Sequence, residues 1–162
     1  MTSTQEGTRP VRLVGQAVGE AQASLKKILT GILAESGTGY QAYLGLQRLT
    51  ALGGEATQDA YQRDLSDWLE LDAAAAARLA GDLVAAGLAG TGPAGVGGGA
   101  IRLTARGREL RGEVLAASAK ITEPMLAAID RGDLETTVRT LDEITRRARG
   151  IPAGPVTTEG NR

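Results

Sequence analysis

The stretch LDAAAAARLAGDLVAAGL, residues 71–88, together with AIRL at 100–103, reads as a helix, an abrupt stop and the two arms of a hairpin with a long glycine-rich tip. Asp72 is placed to cap the helix, because its carboxylate accepts from the unpaired N–H groups of the first turn and its charge suits the positive end of the helix dipole. The alanines behind it are the strongest helix formers available. Gly87 stands where a left-handed residue would close the last turn, so a helix is expected over 73–86. At about 100° per residue, Ala75, Ala76, Leu79, Leu83 and Ala86 share the face to be buried. The opposite face holds Ala73, Ala74, Ala77, Arg78, Gly81 and Ala85, with Arg78 as its only polar side chain.

A chain of 162 residues is one domain by length and can bury about two thirds of its unfolded surface. It has no Phe, one Trp and three Tyr, so Leu, Ile, Val and Ala must build the core, and such packing is easiest between helices. The absence of Cys and His removes disulfides, thiolate chemistry, the usual zinc ligand sets and the Ser-His-Asp and Cys-His devices together. Asp64 with Asp67, and Asp142 with Glu143, are the carboxylate pairs that acid-base catalysis would need, and each reads more simply as solvated helix charge. The expectation is a protein that is not an enzyme and takes no cofactor or metal. No run of about 18 apolar residues occurs, and residues 1–10 lack the charged start and apolar middle of a signal peptide. A soluble, cytoplasmic protein with no membrane partner is expected. The net charge of −1 advertises no nucleic-acid partner. Every basic residue except Lys26, Lys27 and Lys120 is arginine, which, with heavy use of Ala, Gly and Leu, reads as a GC-rich bacterial coding bias.

Outward from the opening stretch, residues 1–10 read as a disordered arm. Val14, Val18, Ala21, Leu25, Ile28 and Ile32 then recur at heptad spacing along a helix over 11–35, a seam that could face a core but whose narrowness favours a dimer interface. Ser36 to Gly39 break it. Tyr40 to Leu52 form the next helix, which Gly53-Gly54 stops, and Thr57 caps a third to about Trp68 with Ala60, Tyr61, Leu65 and Trp68 facing inward. Behind the hairpin, Thr104 caps a long helix toward Ile129, with Pro124 expected to kink or split it. Gly132 is expected to end that helix and Asp133 to cap the last, which lines up Leu134, Val138, Leu141, Ile144 and Ala148. The tail 150–162 reads as disordered. The class is therefore mainly α with a small β-hairpin: a winged helix-turn-helix over 39–104, with the helices over 11–35 and 105–149 forming an N- and C-terminal helical layer.

The chain resembles the MarR family of bacterial winged-helix regulators, of actinobacterial type, over 11–149. The residues that carry the resemblance are Tyr43-Leu44-Gly45-Leu46, the turn from Gly53 to Asp59, Leu71-Asp72, the run Leu83 to Leu88, and Ile101 to Arg108. The resemblance implies a homodimeric, duplex-DNA-binding transcriptional regulator, held together by the first, fifth and sixth helices. The interface residues are then Val14, Val18, Leu25, Ile28, Leu134, Val138 and Leu141. It further implies recognition helices in major grooves, wings at minor grooves and a small-molecule effector near the junction of the layers. On these terms Arg63, Arg78, Arg102 and Arg106 are the candidate DNA contacts, with Ala73, Ala74 and Ala77 facing thymine methyls. Tyr40 and Tyr43, with Gln16 and Gln47 as polar partners, are the candidate effector wall.

Other readings compete. Arg78 would equally pair with Asp82 one turn on, and Arg108 lies over Glu109 or a neighbouring helix. From Tyr40 to Leu110 acids outnumber arginines for a net −2, and the segment from Thr91 to Gly99 carries no charge. A winged-helix protein that has lost DNA binding and serves as a protein-interaction or small-molecule-binding module is the alternative. The glycines from Gly90 to Gly99 lack the Gly-Lys-Ser/Thr of a phosphate loop.

Overall fold

The computed structural model describes residues 9–92 and 99–151, with side chains from Leu13 onward. The expected disordered arm and tail, except for Arg9, Pro10, Gly150 and Ile151, and most of the hairpin tip lie outside the described residues. The elements are α1 (Arg9–Glu35), α2 (Tyr40–Ala51), β1 (Glu55–Thr57), α3 (Gln58–Leu69), α4 (Ala73–Ala85), β2 (Ala89–Thr91), β3 (Ala100–Leu103), α5 (Ala105–Leu126) and α6 (Arg131–Arg149). Two compact units are present, one through Lys120 and one from Ile121 onward.

In the first unit the expected caps are in place. Asp72 accepts from Ala75 N at 2.7 Å, and Thr57 accepts from Ala60 N at 3.2 Å. Gly87, at φ 70°, closes α4, with Leu88 N donating to Leu83 O and Gly87 N to Val84 O, each at 2.9 Å. This is the paired closure that only a left-handed residue permits, and it turns the chain at once into β2. Thr104 caps α5: its hydroxyl accepts from Gly107 N at 3.0 Å and donates to Gly87 O at 2.7 Å.

The hairpin of β2 and β3 is joined by a third strand, so the sheet runs β1-β3-β2, all antiparallel. The core of this unit comprises Leu33 from α1, Tyr43, Leu46 and Leu49 from α2, Tyr61 and Leu65 from α3, and Ala76, Leu79, Ala80 and Leu83 from α4. Ile101 closes it from the sheet, and Leu110 and Val114 from α5. Tyr61 is fully buried and donates its hydroxyl to Gly45 O at 2.7 Å, and burial together with the Asp64 charge pushes its pKa up.

Four expectations are corrected. Ala86 is exposed and Ala80 is buried in its place, because the buried line of α4 follows Ala76, Leu79, Ala80 and Leu83 and the helix ends before Ala86. Trp68 does not enter the core; it is 44% exposed, and the Arg48 guanidinium lies 4.8 Å from its ring centre. That guanidinium is held by a bidentate pair to Asp64 at 2.7 and 2.9 Å, which also holds the Arg48 pKa up, so an arginine packs the indole that apolar side chains were expected to cover. Pro124 does not split α5, since it lies in the last turn, and the helix ends at Leu126. Asp130, not Asp133, caps α6, accepting from Gly132 N at 2.7 Å and Asp133 N at 3.2 Å, so Arg131-Gly132-Asp133 is a first turn instead of a stop and cap.

In the second unit α6 has no fully buried residue. Val138, Leu141 and Ile144 are exposed along it, while Leu134 is half-buried. Its last turn carries Arg146, Arg147 and Arg149, cations that suit the negative end of the helix dipole. Arg146 and Arg147 both pair with Glu143, whose carboxyl they hold below its usual range. No helix among the described residues is long and apolar enough to cross a membrane.

Candidate nucleic-acid interface

Helices α3 and α4 form the helix-turn-helix. The turn between them is set by Glu70, which takes the left-handed conformation at φ 53°, and by the Asp72 cap two residues later. With Ala76, Leu79, Ala80 and Leu83 buried, α4 leaves Ala73, Ala74, Ala77, Arg78, Gly81 and Ala85 in solvent, all six as the sequence predicts. Among the described residues Arg78 has no ion pair or hydrogen bond, so the pairing with Asp82 is not made. Its charge is free for an external acceptor.

Among the described residues Arg63, exposed on α3, bonds only the Asp59 carbonyl of its own helix, at 3.3 Å. It lines a cavity of about 470 Å³ with Asp59, Gln62, Ser66 and Ala73, so the first residue of α4 and the polar edge of α3 face the same space. Arg102 is differently placed. It lies directly opposite Glu55 in the β1–β3 register and pairs with its carboxylate at 2.9 Å, both side chains about half exposed. Sequence reading missed this pair, because Glu55 was not expected in a strand. Arg106, in the first turn of α5, lies on a cavity of about 510 Å³ with Ser36, Thr38, Glu109 and Glu113. Arg108 donates to Leu103 O at 2.9 Å, and not to Glu109.

Among the described residues, the four candidate effector residues engage different partners. Tyr43 accepts from Gln47 Nε2 at 2.9 Å, and Gln47 Oε1 in turn accepts from Arg111 Nε at 3.2 Å. Burial pushes the Tyr43 pKa up, and the Arg111 charge opposes that shift. Tyr40 lies under the Lys26 ammonium, 4.9 Å from its ring centre. Gln16 bonds Glu20 on the exposed face of α1, about 15 Å along the helix from Lys26. Arg111, which sequence reading missed, lines a cavity of about 410 Å³ with Thr50, Gly53, Gly54, Leu103 and Arg108. Two cations and, among the described residues, no acid line this space, which makes it complementary to an anion. Among the described residues no cluster of three potential metal ligands occurs.

Solved structures resemble this arrangement closely. A MarR family protein from Bacillus stearothermophilus superposes with a TM-score of 0.73 at 19% identity, covering 91% of this chain and 99% of that one. The chain has the fold of the MarR-family regulators. A MarR family transcriptional regulator from Streptomyces coelicolor gives a TM-score of 0.63 at 20% identity, over 88% of this chain and 98% of that one. An organohalide-sensing transcriptional regulator in its 2,4-dichlorophenol-bound form gives 0.67 at 16% identity, over 91% and 87%. No family model and no curated protein matches the sequence. In the MarR fold α4 occupies the position of the second helix of a helix-turn-helix, and the β2–β3 ribbon is the wing.

Proposed function

We propose that this chain is a homodimeric, DNA-binding transcriptional regulator whose α4 enters the major groove. The observation that carries the reading is the outward face of α4: small side chains flanking an unpaired guanidinium, on the helix that a helix-turn-helix presents to DNA. Arg63 and Arg106 add cations free of any acidic partner among the described residues, while Arg102 is neutralised by Glu55.

Phosphate neutralisation governs the salt dependence of binding. With Arg63, Arg78 and Arg106 engaged in each of two subunits, the slope of log K against log salt is expected to be no steeper than about −5. Titration of labelled genomic duplex at several salt concentrations checks this. A flat dependence, or no binding at low salt, would contradict the reading in favour of a winged-helix module that has lost its DNA, which the acidic surplus of the region would suit. Glu55→Gln frees Arg102 in both subunits. It is expected to tighten binding and steepen the slope by about two units in the same titration.

The second copy is proposed to lie against α1 and α6. Val14, Val18 and Leu25 are each more than 40% exposed on α1, as is Val138 on α6, and Leu141 is close behind. Ile28 belongs to the same seam but is half-buried. Leu25→Glu therefore tests the interface without entering the core: sedimentation is expected to give a monomer with unchanged circular dichroism, and an intact dimer would remove α1 from the interface.

The effector is proposed to be a small anion held by Arg108 and Arg111. On this reading Tyr43 and Gln47 act by fixing Arg111, and Tyr40 and Gln16 lie outside the site.

A further inference from the structure

We infer that α4 reads its groove mainly through methyl contacts, so that each half-site consists of thymine-rich steps around a single guanine. This rests on the DNA-binding reading above and specifies what that surface selects.

The first two turns of α4 expose Ala73, Ala74, Ala77 and Arg78. The guanidinium of Arg78 is the only hydrogen-bonding side chain among them, and no described residue engages it. A guanidinium is matched by the N7 and O6 acceptors of guanine, while adenine is read through an amide side chain, and no Asn or Gln stands on this face. The only apolar group that the major groove offers to alanine is the C5-methyl of thymine. Short side chains also let the helix backbone come close to the base edges, which a methyl contact requires. The surrounding charges strengthen the point. Arg102 is held by the Glu55 carboxylate, so phosphate contacts supply less of the affinity and base contacts carry more of it.

The test uses the full chain and a duplex enriched by it from a random pool. The duplex is resynthesised with deoxyuridine for thymidine in the half-sites and, separately, with 7-deazaguanine for guanine. Each methyl lost is expected to weaken binding about fourfold. Loss of guanine N7 is expected to weaken binding by wild type about fivefold or more, and to leave Arg78→Ala indifferent to the substitution. An enriched half-site rich in G·C pairs, or equal affinity for the deoxyuridine duplex, overturns the inference and leaves DNA binding standing. A wild-type protein that enriches no sequence overturns the DNA-binding reading, and this inference falls with it.

Discussion

Gly107→Ala is expected to lower the melting temperature by about 6–12 °C, a loss of about 3 kcal/mol. A Cβ at Gly107 would overlap the Leu88 carbonyl oxygen and lie 2.9 Å from Leu103 Cδ1 and 3.2 Å from Leu46 Cδ1. The two leucine ends can give way, but the carbonyl cannot. It belongs to the backbone that leaves Gly87 and accepts from Thr104 N at 3.2 Å, so moving it disturbs the start of α5 and the α4 closure together. Helix propensity alone predicts the opposite sign, because alanine is favoured over glycine by about 1 kcal/mol inside a helix. Gly112, in the same α5 with nothing within 4 Å of its would-be Cβ, is the control. Gly112→Ala is expected to stabilise by about 1 kcal/mol, and thermal melts of the two variants separate packing from propensity.

Ala77→Glu is expected to weaken duplex binding by about a hundredfold or more while leaving fold and dimer unchanged. Ala77 is exposed in the middle of the outward face of α4, one residue from Arg78, and no core contact depends on it. A glutamate keeps the helix, since its propensity is close to that of alanine. Its charge would meet the phosphates and compete for the Arg78 guanidinium. Gel retardation beside circular dichroism and sedimentation checks each part. Unchanged affinity would place the DNA elsewhere on the molecule.

The parts of the fold that the sequence announced are those set by local chemistry. Asp72, Thr57, Thr104 and Gly87 cap or close helices through bonds to residues within five positions, and the alanine-rich helix has one face that can be buried and one that cannot. What the sequence concealed depends on partners far along the chain. Strand β1 is only Glu55-Ala56-Thr57, too short to show alternation, and it exists because β3 pairs with it from 45 residues away. The neutralisation of Arg102 follows from that pairing and was hidden with it. Tyr43 and Gln47 stand one turn apart and were legible as neighbours, but Arg111 reaches Gln47 across 64 positions. Trp68 looked like a core residue by its apolar bulk, and only the Arg48–Asp64 pair explains why its ring is packed by a cation at the surface. Asp133 reads as the cap in sequence, but the turn after α5 ends three residues earlier and puts the Asp130 carboxylate over the first N–H groups of α6.

If the outward face of α4 selects duplex DNA, a single reversal of charge on that face abolishes the selection. Parallel pull-downs of sheared genomic fragments by wild type and by Ala77→Glu, at low and at moderate salt, test it most directly. A recurring half-site is expected in the wild-type fraction at moderate salt and none with Ala77→Glu, with both proteins dimeric. Recovery of the same sequences by both proteins, or of no enriched sequence by wild type at either salt, would contradict it.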